Sequence, residues 1–360
     1  MSIVLDAPGR SREAARGEPR SAAAKSWARA VSSRVYLPAC SIAAVAVLLI
    51  AIGVASRWGG ADFVGAMTSL RVIVIGPTTL VIIGIFLVVE RVRPAQRRPM
   101  FARGYRQDVL YVLLSATLVV PLVTALTLSF SEVVVRYLPW LVLAKWGTVP
   151  RWAAIAVIFV AMDGLNWLAH LGNHRVRMLW RFHELHHSQE DMNVLTVFRT
   201  HPLIHVSYLI ALIPGIVLLA NGTLSATLLV LYGATVAFAH SNTNLGFGPL
   251  ERVFVSPNFH RIHHQLEGPQ DVNLGFALTI WDQLFHRAIF PTPETIRTDT
   301  GLPGRPLIVE QAAGRHFSVL AAQLVAPFRP MQGRALPISV RDESTRPGEY
   351  EASAEERVRA

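Results

Sequence analysis

Eleven of the chain's thirteen histidines lie between residues 170 and 264, and eight of them fall into three motifs. His170 and His174 form HxxxH. His183, His186 and His187 form HxxHH, and His260, His263 and His264 form a second HxxHH. Positions i, i+3 and i+4 share one face of a helix, so each motif aims two or three imidazoles at one point. Neutral imidazole suits zinc, copper, iron and nickel. Eight or nine such groups exceed the needs of one ion, so a pair of ions is expected. Two irons would activate O₂ for attack on inert C–H bonds. A two-zinc hydrolase is the rival reading, but it usually adds bridging carboxylates. Here Glu184, Glu190 and Asp191 flank the second motif without matching its spacing.

The elements that must position these motifs are apolar. Of 360 residues, 52% are hydrophobic and only 16% charged, and the mean hydropathy is +0.38. A soluble domain carries about 25% charged residues, so the chain reads as a multi-span membrane protein. The net charge is +10 with pI about 10.5. The basic residues sit beside apolar spans and follow the positive-inside rule, so no nucleic-acid partner is expected. The single cysteine, Cys40, excludes an internal disulfide and a cysteine-based metal site.

Residues 1–34 are polar, basic and low in apolar content, and are expected to be disordered. Their length argues against a cleaved signal peptide. No charge occurs from Val35 to Ser56, enough to span a bilayer core that needs about 20 apolar residues. A second span is expected from Arg71 to Val89, kinked at Gly76-Pro77. A basic loop with Arg91, Arg93, Arg97, Arg98, Arg103 and Arg106 follows. A third span covers Val109 to Phe130, with Pro121 inside it. Tyr137, Trp140 and Trp146 then mark an interface. A fourth span starts near Trp152 and runs into HxxxH. The uncharged stretch Val206–Ala239, broken at Pro214-Gly215 and Asn221-Gly222, reads as a helical hairpin that dips into or crosses the bilayer. The basic N-terminus and the loop at 91–106 place both on the cytoplasmic side. All three histidine motifs then emerge at that same face. A metal transporter would instead distribute its histidines and carboxylates mid-membrane.

The expected fold is therefore all-α: a polytopic integral membrane protein with about four transmembrane helices, an apolar hairpin and a cytoplasmic histidine-rich helical cap. Its segments are a basic tail (1–34), the first transmembrane helices and basic loop (35–106), a catalytic region (107–290) and a C-terminal extension (291–360), disordered beyond about residue 332.

The motifs carry a resemblance. His170-x₃-His174, Trp180-Arg181-Phe182-His183-Glu184-Leu185-His186-His187-Ser188 and Asn258-Phe259-His260-Arg261-Ile262-His263-His264 resemble the fatty acid hydroxylase / sterol desaturase superfamily. Arg93-Pro94, Asp108, Asp163, Trp167, Leu195-Thr196, Arg199-Thr200-His201-Pro202, Asn273-Leu274-Gly275 and Trp281-Asp282-Gln283-Leu284-Phe285 fit the same pattern. After Phe285 the chain continues His286-Arg287, where the family usually has Gly-Thr. The resemblance covers roughly residues 90–290. It implies a membrane-embedded non-haem di-iron centre, with zinc able to replace iron in isolated protein. It also implies O₂ as co-substrate, hydroxylation or desaturation of a lipid, and a separate electron-donor protein. Sterol, fatty acyl, ether lipid and carotenoid substrates all fit.

The eight motif histidines are the expected ligands, and the resemblance adds His240 as a ninth. His201 reads either as a ligand or as a hydrogen bonder at a helix start. Asp163, on an apolar helix, reads as a structural hydrogen bonder or as support for a ligating histidine. Asn258, Asn273 and Asp282 are further candidates for a supporting or extra-ligand role. His316 is expected on the surface.

Overall fold

The computed structural model describes residues 77–98, 103–119, 123, 131, 133–142, 150–215, 232–269, 271–302 and 316–328. The expected first span, the basic tails, Cys40, Gly76, Pro121, Trp146 and Asn221-Gly222 lie outside these residues. Among the described residues the chain is helical, with three isolated β-bridges and no strand.

Helix α1 (Pro77–Val92) opens with proline, whose fixed φ suits the first helical turn. It stops at Val92 because Arg93 precedes Pro94 and is driven from the helical region. Glu90 in its last turn is buried. Its carboxylate accepts from the Tyr105 hydroxyl (2.7 Å), the Val194 amide (2.6 Å) and the Asn242 amide (2.8 Å). Just beyond, the Arg93 carbonyl accepts from the Asn244 amide, and Pro94 bridges to Thr243. The end of α1 is thus fastened beside His240.

Helix α2 (Arg103–Leu114) continues as a π-helical turn, Ser115–Val119. It starts six residues before the span expected from Val109, so Arg103 and Arg106 are helical and not part of the basic loop. The reason is a polar seam that no run of apolar residues reveals. Gln107, Asp108 and Tyr111 are fully buried. Asp108 pairs with the equally buried Arg199 at 2.7 Å and accepts from Gln189 and Asn193. Gly104 lets this seam close, since a Cβ there would lie 2.6 Å from the Gln189 side-chain oxygen.

Helix α3 (Arg151–Arg175) starts after Pro150 and is the one described helix long and apolar enough, over Trp152–Arg175, to cross a membrane. It carries HxxxH at its C-terminal end, as expected. Val176 is extended and makes the corner to α4 (Arg177–His187), which carries the first HxxHH. After a capped 3₁₀ turn (Val194–Phe198) the chain runs through an apolar helical stretch, Pro202–Gly215, that is shorter than a span. The second described arm of the expected hairpin is helix α5, residues 232–239. Helix α6 (Pro257–His263) carries the second HxxHH. Ser256 caps it, accepting from the Phe259 amide. Short helix α7 (Ile280–Leu284) and helix α8 (His316–Val325) complete the described chain. Buried Gln323 of α8 accepts from the Tyr111 hydroxyl at 2.7 Å. His316, expected on the surface, is half-buried, and its carbonyl accepts from Gln107.

Breaking one partner of a buried ion pair strands the other. Asp108→Ala should therefore lower stability by about 3–5 kcal/mol. The double variant Asp108→Ala/Arg199→Met should cost less than the sum of the single changes, as thermal unfolding in detergent would show.

Candidate metal centre

The fold gathers nine buried histidines into two groups. His170, His174, His183, His187 and His263 form one; His186, His240, His260 and His264 form the other. In each group the candidate ligand nitrogens lie within 4.8 Å of one another. Among the described residues no carboxylate or thiol joins either group. All eight motif histidines are brought together, and His240, from the end of α5, is the ninth. The expected two or three rings per point prove to be two for each HxxHH, with the third serving the other group. An HxxHH motif does not aim all its rings at one point. The i, i+4 pair His183/His187 joins the first group while His186 joins the second. On α6 the pair His260/His264 joins the second group while His263 joins the first. The i+3 ring is rotated about 60° from the i ring at 100° per residue, and this suffices to serve a neighbouring point.

The electrostatics of the groups fit cations. The His170 Nδ1–H donates to the Leu274 carbonyl (2.8 Å), the His263 Nδ1–H to the Val272 carbonyl (2.9 Å) and the His240 Nδ1–H to the Val236 carbonyl (2.7 Å). A carbonyl only accepts, so in each neutral ring the proton sits on Nδ1 and Nε2 is a bare lone pair. Yet His170 Nε2 and His263 Nε2 face each other at 3.1 Å. His170 Nε2 is also 3.0 Å from His183 Nε2, and His240 Nε2 is 2.9 Å from His186 Nε2 and 3.1 Å from His260 Nε2. A neutral His183, His186 or His260 could carry its proton on Nε2, but the facing His170 and His263 have theirs on Nδ1, and burial drives His263 well below the usual imidazole range, so extra protons do not resolve that contact. A shared cation does. Metal–nitrogen bonds of about 2.0–2.1 Å place neighbouring ligand nitrogens roughly 3 Å apart.

Aromatic rings seal the groups. Phe276 lies flat on His170 (4.7 Å, 7°), with its ring 5.7 Å from that of His260 and 6.4 Å from that of His240, so it abuts both groups. Trp180 lies 5.1 Å from His174 and 5.5 Å from His187. Beyond Phe276 an apolar cluster continues through Met162, Ala211, Tyr232 and Ala277, with Tyr208 and Val236 against it.

The remaining candidates take other roles. Asp282 touches no histidine. It accepts from Trp167 Nε1 (2.9 Å), the Leu274 amide (2.9 Å) and the Gly275 amide (2.8 Å), and so holds the residue whose carbonyl meets His170. Burial pushes its carboxyl up to about 6, against the pull of these three donors. Asp163 also lacks a histidine partner. It accepts from the Tyr232 hydroxyl, Trp281 Nε1 and the Ala277 and Leu278 amides. The structural reading of Asp163 is therefore the one the contacts follow. Asn273 adopts φ 52°, donates to the Phe259 and Ile289 carbonyls, and accepts from the Ile289 amide. Its amide is spent bracing the same loop. Asn258 donates to Asn244, not to a histidine. His201 joins neither group: Nε2–H donates to the Leu324 carbonyl and Nδ1 accepts from the Leu203 amide, so both nitrogens are used at a 3₁₀ start. Glu90, Phe276 and the carbonyls of Val236, Val272 and Leu274 are the participants that sequence reasoning missed. Backbone carbonyls have no sequence signal, and a lone phenylalanine in an apolar chain has little. Glu90, a lone acid at the end of an apolar run, could have been found.

Every one of the nine histidines falls inside residues 155–287, the stretch that matches the family model for fatty acid hydroxylase. Residues 155–287 are thus similar to a fatty acid hydroxylase domain. Over 156 residues the chain is 36% identical to an ornithine lipid hydroxylase of Rhizobium tropici, covering 41% of this chain and 45% of that protein. It is 33% identical over 135 residues to the human alkylglycerol monooxygenase, covering 35% of this chain and 28% of that one. With the zebrafish (Danio rerio) alkylglycerol monooxygenase it shares 30% over 153 residues, 41% and 31% of the two chains. The chain thus spans less than half the length of these relatives. No solved structure matches it.

Losing a partner that orients a ligand typically costs 10–100-fold in metal affinity. Asp282→Ala, which frees the Leu274 amide and so loosens the residue whose carbonyl holds His170 without touching a histidine, should weaken metal retention by about that factor in a chelator competition. Asn258→Ala should not.

Proposed function

We propose that the protein is a membrane-bound oxidoreductase that hydroxylates a lipid, using O₂ and a pair of iron ions held by the nine histidines. The observation that carries this reading is the pair of buried, all-nitrogen groups within the stretch similar to a fatty acid hydroxylase domain. The relatives named above act on an ornithine lipid and on alkylglycerols, both amphiphiles with long apolar chains. Among the described residues the donor set is all imidazole with no bridging carboxylate, which favours this chemistry over a two-zinc hydrolase. A metal transporter is disfavoured because the histidines cluster at helix ends and do not line a path through the helices.

Bound iron would supply the reductive activation of O₂ that attack on a C–H bond requires. The chain's own residues do the rest. The Leu274, Val272 and Val236 carbonyls hold three rings in the tautomer that presents Nε2. Phe276 and Trp180 keep water from the rings. The apolar cluster of Met162, Tyr232, Phe276 and Ala277 is the surface against which a lipid chain would lie, with α5 as one wall. Electrons would come from a separate donor protein, and α3 would fix the domain in the bilayer with the histidine groups towards the cytoplasmic face.

Freshly isolated, unstripped protein should carry two metal ions per chain by elemental analysis. Zinc in overproduced material would reflect the affinity order and not the native metal. His186→Ala and His263→Ala strike different groups and different helices. Each should abolish O₂- and reductant-dependent turnover, scored by lipid profiling of cells with and without the protein, while insertion continues. His316→Ala should keep activity. Turnover that persists without O₂ would sink the oxygenase reading.

Val236 packs against the apolar cluster, whereas Ala237 packs against Tyr105 and Leu195. Val236→Trp should therefore shift chain-length preference at unchanged metal content, and Ala237→Trp should instead lower stability, in parallel product and unfolding assays.

A further inference from the structure

The segments 250–254 and 278–285 form one unit. Phe254 bridges to Leu278, the Thr279 amide donates to the Val253 carbonyl, and the Gln283 side chain donates to the Arg252 carbonyl. This unit exposes six large apolar side chains: Leu250, Val253, Phe254, Ile280, Leu284 and Phe285, each between 46% and 62% accessible. Such a concentration on one small unit marks an interaction surface and not scattered exposure.

Its place along α3 says what covers it. Trp281 sits against Gly164 so closely that a Cβ there would lie 2.8 Å from the indole. Phe285 stacks on Trp167 at 4.7 Å and 18°. At 1.5 Å per residue, these contacts lie roughly 16 and 12 Å along the helix from Arg175. Half of the hydrocarbon core is about 15 Å thick. Two residues beyond Phe285 the polarity reverses: Arg287 bonds to Asp271, which also holds Arg175. That cluster marks headgroup level. Irregular backbone tolerates a lipid environment only when its polar groups are satisfied within the protein. Here the amides of Ala277, Leu278, Thr279, Gln283, Phe285 and His286 all donate internally, two of them to buried Asp163. Arg252 and His286 are the charged or titratable groups exposed on the unit, and the Arg252 guanidinium lies over the Phe290 ring, 5.8 Å from its centre. A long arginine stem lets its head reach water from such a position.

We propose that this unit is inserted in the bilayer as a membrane contact separate from the spanning helices, with its six apolar side chains against lipid acyl chains. The proposal rests on the reading of α3 as a span. It places a lipid-facing wall beside Phe276, and so opens the histidine groups towards the hydrocarbon and not the aqueous side.

The chain has one cysteine, so a Cys40→Ser background makes single-site labelling direct. Full-length protein in phosphatidylcholine/phosphatidylglycerol vesicles would carry an environment-sensitive fluorophore at Leu284→Cys or, as a second position, Ile280→Cys. Val157→Cys on the exposed face of α3 and Glu294→Cys on the exposed surface are the lipid and water references. Metal content reports whether each variant is folded. The expected result is quenching of the Leu284 and Ile280 labels by nitroxides on acyl carbons more than by headgroup nitroxides, as for Val157. Quenching like that of Glu294 overturns the proposal. So does a label shielded from both water and lipid, which would mean that another segment or a second copy covers the unit. If the Val157 label also fails to meet acyl nitroxides, the span reading of α3 fails, and this proposal with it.

Discussion

Bare nitrogen lone pairs about 3 Å apart repel until a cation lies between them, and the rest of the described structure is arranged around that repulsion. Burial keeps protons off the rings, and carbonyl acceptors on the far side of three of them fix which nitrogen looks inward. Without a cation the facing lone pairs of His170 and His263 stay unpaired, a state that costs free energy in a site closed to water. Metal binding and the final packing of the domain are therefore one equilibrium and not two.

Four buried carboxylates hold that arrangement, and none is in either histidine group. Glu90 ties α1 to the 3₁₀ turn after α4 and to the segment after His240. Asp108 ties α2 to Arg199. Asp163 and Asp282 hold the loop of Asn273 to Thr279 against α3. Each accepts several hydrogen bonds, which is what makes a buried carboxylate tolerable. Acidic residues thus do the bracing, while the ligand set stays all nitrogen. Asp163 and Asp282, for which the sequence left a structural or supporting role open, both hold backbone.

The histidine set was readable from the chain because side-chain spacing on a helix is itself geometry. HxxxH and HxxHH declare which rings share a face before any tertiary contact is known. The long helix ending in HxxxH was readable for a related reason: Trp152 to Arg175 is long, apolar and closed by charge. What the spacing did not convey is the sharing of each HxxHH between two groups, since that depends on where α3, α4 and α6 cross. That α2 already includes Arg103 and Arg106 was not readable, because an apolar-run criterion discounts Gln107 and Asp108, whose burial is compensated by residues some eighty to two hundred positions away. For His201 the sequence left two roles open, ligand or hydrogen bonder at a helix start, and the contacts follow the second. Only the positions of Leu203 and Leu324 reveal that both of its nitrogens are spent.

The division of each HxxHH between the two groups has a consequence for how such a centre can be assembled or altered. Helices α4 and α6 each own part of both halves, in opposite proportions, two rings to one. Neither helix can be retracted, unwound or shifted by a residue to spoil one half and spare the other. The centre behaves as a dovetail joint. A chain acquiring it gains little from one motif alone, and losing either motif helix leaves neither group complete.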